Sequence, residues 1–145
     1  MFKHILVPTD GSPLSDSAAR SAIQFAKSIS ARVTAITVSI PFHVFSTDAV
    51  MVTDTEGIYQ DDCSKRAAKY LDAVGKLAKA AGVPFDGIHV FHEQPHVAII
   101  DAAGKKGCDV ICMASHGRKG LSALVLGSET VKVLTHSKIP VLVWR

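Results

Sequence analysis

The chain has little of what marks a secreted, membrane-spanning or nucleic-acid-binding protein. Of its 145 residues only Cys63, Cys108 and Cys112 are cysteines. An odd number with no C-x-x-C pair spells neither a disulfide framework nor a zinc ribbon, so buried free thiols in a reducing compartment are expected. No stretch approaches the roughly 20 apolar residues of a membrane span. The opening run from Met1 to Asp10 is too short for the apolar part of a signal peptide and is interrupted by Pro8 and Asp10. A cytoplasmic protein is the expectation. Charge of one sign is scarce as well: 16 Lys+Arg face 13 Asp+Glu, the net charge is +3, and no basic run exceeds two residues. Non-specific attraction to a phosphate backbone is therefore a poor explanation of function. Missing too are G-x-x-x-x-G-K-[ST], G-x-G-x-x-G and G-x-S-x-G, which argues against a P-loop, a dinucleotide fingerprint and a serine hydrolase. Without repeats, low complexity or a linker, residues 1–145 read as one domain.

What is present is an alternation of short apolar runs with helical periods. Phe2 to Pro8 reads as a buried strand centred on Ile5, Leu6 and Val7, with Pro8 at its end where a lost donor does little harm. Ser12 and Pro13 mark a helix start as cap and first position, and Leu14, Ala18, Ala22, Phe25, Ala26 and Ile29 recur on one face. Val33 to Ser39 is rich in β-branched residues and reads as the second strand. From Ile40 to Ile58 no period is clean, and an irregular surface loop is favoured over a lid or a dimer contact. Asp61 to Ala81 predicts a long helix with a stripe of Ala67, Tyr70, Leu71, Val74, Leu77, Ala78 and Ala81, stopped by Gly82 and Pro84. Ile88 to Phe91 is the third strand, a helix from Pro95 to Gly104 follows, Asp109 to Ala114 is the fourth strand, Ser128 to His136 the last helix, and Pro140 to Trp144 the fifth strand. This order predicts an α/β domain: an open, five-stranded, mainly parallel sheet covered by helices on both faces.

The stretch from Met113 to Ser128 stands out. It leaves a nearly continuous apolar run through glycines and small hydroxyl residues and enters a helix, which gathers unpaired backbone N–H groups at the positive end of a helix dipole and suits phosphate oxygens. Pro8, Thr9 and Asp10 lie, like Ala114, at the carboxyl end of a strand, where such sheets bind ligands. A flavodoxin would carry its phosphate loop after the first strand, and a receiver domain would need an acidic cluster there; only Asp10 is available.

Over essentially its whole length the chain resembles the universal stress protein (UspA) family. The resemblance is carried in order by the run Ile5 to Ser12, the run Asp109 to Gly120, Leu126-Gly127-Ser128 and the closing Ile139 to Val143. It implies a Rossmann-like sheet of strand order 3-2-1-4-5, and a regulator of the stress response that binds ATP or another adenine nucleotide, with magnesium as ATP's companion ion, and is no enzyme beyond slow hydrolysis. The alternatives are a stress protein of the same fold that binds no nucleotide and acts through protein contacts, and a nucleotide hydrolase or transferase. In the family's ATP-binding branch the loop reads G-x-x-G, nine residues, G-[ST]. Gly117 and Gly127-Ser128 fit its second and third parts, Gly117-x-x-Gly120 is a decoy because only six residues separate it from Gly127, and the first glycine is replaced by Ala114. That methyl group costs about 1 kcal/mol or more on left-handed backbone, or crowds a ribose or phosphate, and is harmless on ordinary β backbone.

By the same resemblance Asp10 would accept from ribose or adenine, Val38 would line the base, and Gly117, Gly127 and Ser128 would hold phosphates, with Pro8, Thr9, Met113, Ala114, His116 and Glu129 around them and Arg118 and Lys119 screening charge. Each has a plainer reading: Asp10 as a turn residue, Val38 as core, Ser128 as a helix cap, Arg118 and Lys119 as solvated cations. His116 is the loop's one candidate general base near neutral pH, and it has no evident partner, so a positional role is favoured. His89, His92 and His96 do not form a convergent metal set by their spacing. Val141, Leu142 and Val143 would be an apolar sheet edge that needs cover, and in the family this strand commonly pairs across a two-fold axis, so a homodimer is predicted, with no nucleic-acid or membrane partner.

Overall fold

Ile5, Leu6 and Val7 are fully buried because they form the middle of the central strand. The computed structural model describes residues 1–43, 49–118 and 125–145. Strand β1 (His4–Pro8) pairs in parallel with β2 (Arg32–Ser39) on one side and β4 (Val110–Ala114) on the other. Beyond β2 lies β3 (Phe85–Phe91) and beyond β4 lies β5 (Val141–Trp144), so the order is β3-β2-β1-β4-β5 with every pairing parallel.

Successive residues of β1 face opposite sides of the sheet, and each side has its own helix pair. Ile5 and Val7 pack with Val33, Ala35 and Cys112 against Ala22 and Ile23 of α1 (Pro13–Ser28) and Val74 and Ala78 of α2 (Ala49–Ala81). Leu6 packs with Ile36, Ile111 and Met113 against Ile99 and Ala103 of α3 (Pro95–Lys106) and Val133 of α4 (Ser128–His136). A strand buried on both faces reads as a continuous apolar run. Helix α1 starts as its residues dictate: Ser12 is the cap, its hydroxyl accepting the Ser15 amide at 3.2 Å, and Pro13 opens the helix.

From β1 the chain winds outward through α1, β2, α2 and β3, and α3 then carries it back to β4 on the other side of β1. The carboxyl ends of β1 and β4 are therefore the point where the winding reverses, and the backbone parts there to leave a crevice.

Two boundaries differ from expectation. Helix α2 begins at Ala49, so most of the segment expected to be a loop is helical, while 44–48 lie outside the described residues. Over 55–58 the helix carries no buried stripe to signal a period: Thr55 to Ile58 are all exposed, Ile58 at 64%. Strand β3 begins at Phe85, three residues before Ile88; at the sheet edge Asp86 and Gly87 are exposed and need not be apolar. The three thiols are free and buried, and burial pushes Cys108 up to about 11 and Cys112 up to about 12, which keeps both protonated and unreactive at neutral pH. Among the described residues no helix is long and apolar enough to cross a membrane.

Candidate functional site

The crevice at the strand ends is a cleft of about 540 Å³, within the range of small-molecule sites. Ile36 and Val38 of β2, Ile40, Ile99 of α3 and Met113 of β4 give it apolar walls, while Asp10, His116, Gly117 and the start of α4 from Gly127 to Thr130 give it polar ones. Pro8, Thr9, Ala114 and Arg118 complete the predicted set. The structure thus brings together every described residue that the sequence put at the site; Lys119, with the decoy Gly120, lies outside the described residues.

Asp10 holds the two chain crossings together. One carboxylate oxygen accepts the Ser12 amide at 2.9 Å, and the other accepts the Arg118 amide at 3.0 Å. Burial works to raise its pKa, but bonds from the Ser12 hydroxyl and amide, the Arg118 amide and Ser15 outweigh burial and hold the carboxyl below its usual value. Gly117 is glycine for space: a Cβ there would lie inside contact distance of the same Asp10 oxygen. Gly11 is glycine for both reasons, with φ of 73° and the Tyr70 ring where a side chain would go.

Arg118 is not a free screening cation. Its Nε donates to the Asp10 carbonyl at 3.0 Å, its Nη2 donates to the Tyr70 hydroxyl, and its guanidinium lies 5.2 Å from the Tyr70 ring centroid. The guanidinium is thereby held against α2. Tyr70, which the pattern marked only as part of a core stripe, is the anchor of this arrangement, and nothing in its spacing signals that.

Ala114 sits on strand backbone opposite Trp144, and positive φ outside glycine is confined to Ser30 among the described residues. The replacement of the motif's first glycine therefore carries no left-handed strain. The Ala114 carbonyl accepts the buried Thr130 hydroxyl at 3.0 Å, which ties the first turn of α4 to the end of β4. Gly127, rather than Ser128, is the cap of α4; its carbonyl accepts the Val131 amide at 3.0 Å, and its own amide donates to the Ser115 carbonyl at 2.7 Å. Gly127 N–H is thus occupied, and the amides that precede the first intrahelical bond, those of Ser128, Glu129 and Thr130, are the ones aimed past the helix end.

His116 Nδ1 lies 3.2 Å from the Ser115 hydroxyl, and among the described residues no carboxylate orients it. Glu129 accepts the His96 amide at 2.7 Å, approaches His96 Nδ1 at 3.2 Å, and takes Lys132 at 3.3 Å. Burial raises its pKa, yet the bonds from His96 and Lys132 leave the carboxyl below the ordinary glutamate value. Glu93 and Pro95, at the start of α3, also line the cleft and escaped the sequence reading. The Pro95 helix start beyond the third strand was the available signal, since loops at the carboxyl ends converge on one crevice. The histidines do not converge: His89 Nε2 pairs with Ser39 at 2.8 Å, and His92 Nδ1 accepts the Gln94 amide at 2.9 Å.

The sequence profile of the Universal stress protein family matches residues 1–145. Universal stress protein MJ0531 of Methanocaldococcus jannaschii is 32% identical over 146 residues, 99% of this chain and 82% of the relative. Among solved structures, hypothetical protein MJ0577 of the same organism, whose biochemical function was assigned from its structure, superposes with a TM-score of 0.83 at 29% identity, over 99% of this chain and 95% of its own. A universal stress protein solved in complex with cAMP gives 0.72 at 26% identity, over 99% and 97%.

Proposed function

The protein belongs to the universal stress protein family, and on that premise we propose that it binds an adenine nucleotide, ATP or a close relative, in the cleft between β1 and β4 and acts as a regulator in the cytoplasm. The observation that carries this reading is the convergence at one crevice of an apolar wall, Ile36, Val38 and Met113, with a carboxylate, Asp10, and the open amide turn of α4. A flat base, a ribose and a phosphate need those three surfaces in that company. The cAMP complex of a relative at 26% identity supports it. Extended backbone at Ala114 removes the strain objection to the altered motif. Magnesium would arrive on ATP's phosphates; the donors that the cleft adds are the carboxylates of Asp10, Glu93 and Glu129, oxygen ligands suited to that ion.

Hydrolysis is slow at most in this reading, because His116, the one imidazole lining the cleft among the described residues, has no acid or base partner among them. The test is to purify the protein without added nucleotide, denature it, identify released nucleotide by mass spectrometry, and titrate ATP, AMP and adenosine calorimetrically. Bound adenine nucleotide, or micromolar to millimolar affinity with ATP recovered intact over hours, is expected. Nothing released and nothing bound at millimolar nucleotide leaves the rival reading, a stress protein that works through protein contacts alone.

We also propose a homodimer through β5. Leu142 is 40% exposed on the edge strand, and Val131 and Leu134, one turn apart on α4, are exposed to a similar extent. An uncovered apolar edge favours pairing with a second copy. Light scattering at micromolar concentration is expected to give twice the chain mass, and Leu142→Asp to give the monomer mass; a parent protein that runs as a monomer ends the idea.

A further inference from the structure

Two helices end their amino termini at the cleft wall, α3 at Pro95 and α4 at Ser128, and each offers about half a positive charge to whatever lies there. In this protein something already lies there. The Glu129 carboxylate, from the first turn of α4, accepts the His96 amide of α3 at 2.7 Å and sits 3.2 Å from the His96 ring. It therefore occupies the place that a bound anion would take at α3 and counters the dipole of its own helix at the same time.

The remaining charges do not restore a positive site. Among the described lining residues the carboxylates are Asp10, Glu93 and Glu129, and Arg118 is the one lysine or arginine. The Arg118 guanidinium is turned onto Asp10 and Tyr70. Glu93 faces the exposed His43 at 3.0 Å, and Glu129 faces Lys132 at 3.3 Å. Among the described residues the titratable groups bonded to Glu129 are His96 from α3 and Lys132 from α4, and the His136 ring stands 5.8 Å from that of His96. Glu129 is held ionised by these bonds, so its charge is present throughout the neutral range.

We infer that Glu129 is a resident anion that sets the phosphate preference of the cleft: nucleosides, monophosphates and cyclic monophosphates enter freely, whereas ATP enters well only when a divalent cation neutralises its phosphates. The inference rests on the nucleotide reading of the cleft and adds which member of that class it takes. Glu129 acts by position and charge, and no bond from it to the ligand is required.

The test is calorimetric titration of adenosine, AMP and ATP into the parent protein and Glu129→Gln, each in EDTA and in excess magnesium. The parent is expected to bind metal-free ATP at least tenfold more weakly than AMP, and magnesium to close that gap. Glu129→Gln keeps the shape and the acceptor oxygen; it is expected to raise metal-free ATP affinity about tenfold relative to adenosine affinity and to shrink the effect of magnesium. If the variant melts at assay temperature, the parent alone decides through salt: the AMP-to-ATP gap narrows as sodium chloride rises from low to physiological concentration. An unchanged ratio of ATP to adenosine affinity in the variant, or a salt-independent gap in the parent, overturns the proposal. So does a parallel loss of all three ligands, which would make Glu129 a ribose or base contact. A parent that binds none of the three overturns the nucleotide reading itself, a result distinct from any of these.

Discussion

Gly127→Val is expected to lower nucleotide affinity by at least a hundredfold. The backbone of Gly127 is extended, with φ −61° and ψ 150°, a conformation open to any residue. The reason for glycine is space. A Cβ at this position would stand 3.0 Å from His116 Cα, 3.1 Å from His116 Cβ and 3.4 Å from the Ser115 carbonyl oxygen. Two of those atoms are backbone and cannot rotate away, and valine adds two methyl groups beyond the Cβ. The crossing of 115–116 over 127, closed by the 2.7 Å bond from the Gly127 amide to the Ser115 carbonyl, must open. That crossing puts the first turn of α4 against the end of β4, so opening it withdraws the free amides of Ser128 and Glu129 from the cleft. Overpacking of this kind costs about 1–3 kcal/mol in stability, so the variant folds and the binding loss is measurable by calorimetry. Affinity within threefold of the parent would refute the placement of the phosphates at α4. Gly127→Ala, which needs only a few tenths of an ångström of adjustment, is expected to fall between.

Asp10→Ala is expected to lose about 2 kcal/mol of stability, roughly 4–8 °C in melting temperature, together with a large part of the affinity for adenosine. The carboxylate is the shared acceptor of the Ser12 and Arg118 amides, 108 residues apart in the second case. Removing it strands the partly buried Ser12 amide and releases the exposed Arg118 amide, freeing the Gly117–Arg118 turn that forms one wall of the cleft. An ionised carboxylate in the cleft wall can accept a ribose hydroxyl, so the effect on adenosine, which has no phosphate, separates this residue from Gly127. The pH dependence has a definite sign. The folded-state pKa of Asp10 is depressed below the ordinary 3.8, so its contribution is fully present above pH 3.8 and disappears as pH falls through the lower folded-state value. The melting-temperature gap between parent and Asp10→Ala is therefore constant from pH 5 to 8 and shrinks below 3.8. A gap that widened in acid would exclude Asp10 as the ionised acceptor described above.

Much of this was legible without coordinates because single physical causes dominated locally. Burial on both faces makes β1 and β4 unbroken apolar runs, Ser12 and Pro13 can open a helix only one way, and the resemblance to the family's phosphate loop singles out Gly117 and Gly127-Ser128. Ser128 as a cap was misplaced by one residue, since Gly127 supplies the capping carbonyl through backbone alone. The start of α2 was unreadable because residues 40–58 carry no clean apolar period, and 55–58 are exposed.

The sequence by itself therefore determined the family, through the resemblance of its motifs, and the parallel sheet and the strand ends at which a ligand would sit, which depend on residue type at a known period. The tertiary structure decided the chemistry of the cleft. Whether Ala114 was harmless depended on its backbone conformation, which pairing with β5 imposes. Whether Arg118 could meet a phosphate depended on Tyr70, 48 residues away. That Glu129 should fill the space at the end of α3 depended on how two helices from different parts of the chain abut. Charges act through space, and spacing along the chain says nothing of distances that only packing sets.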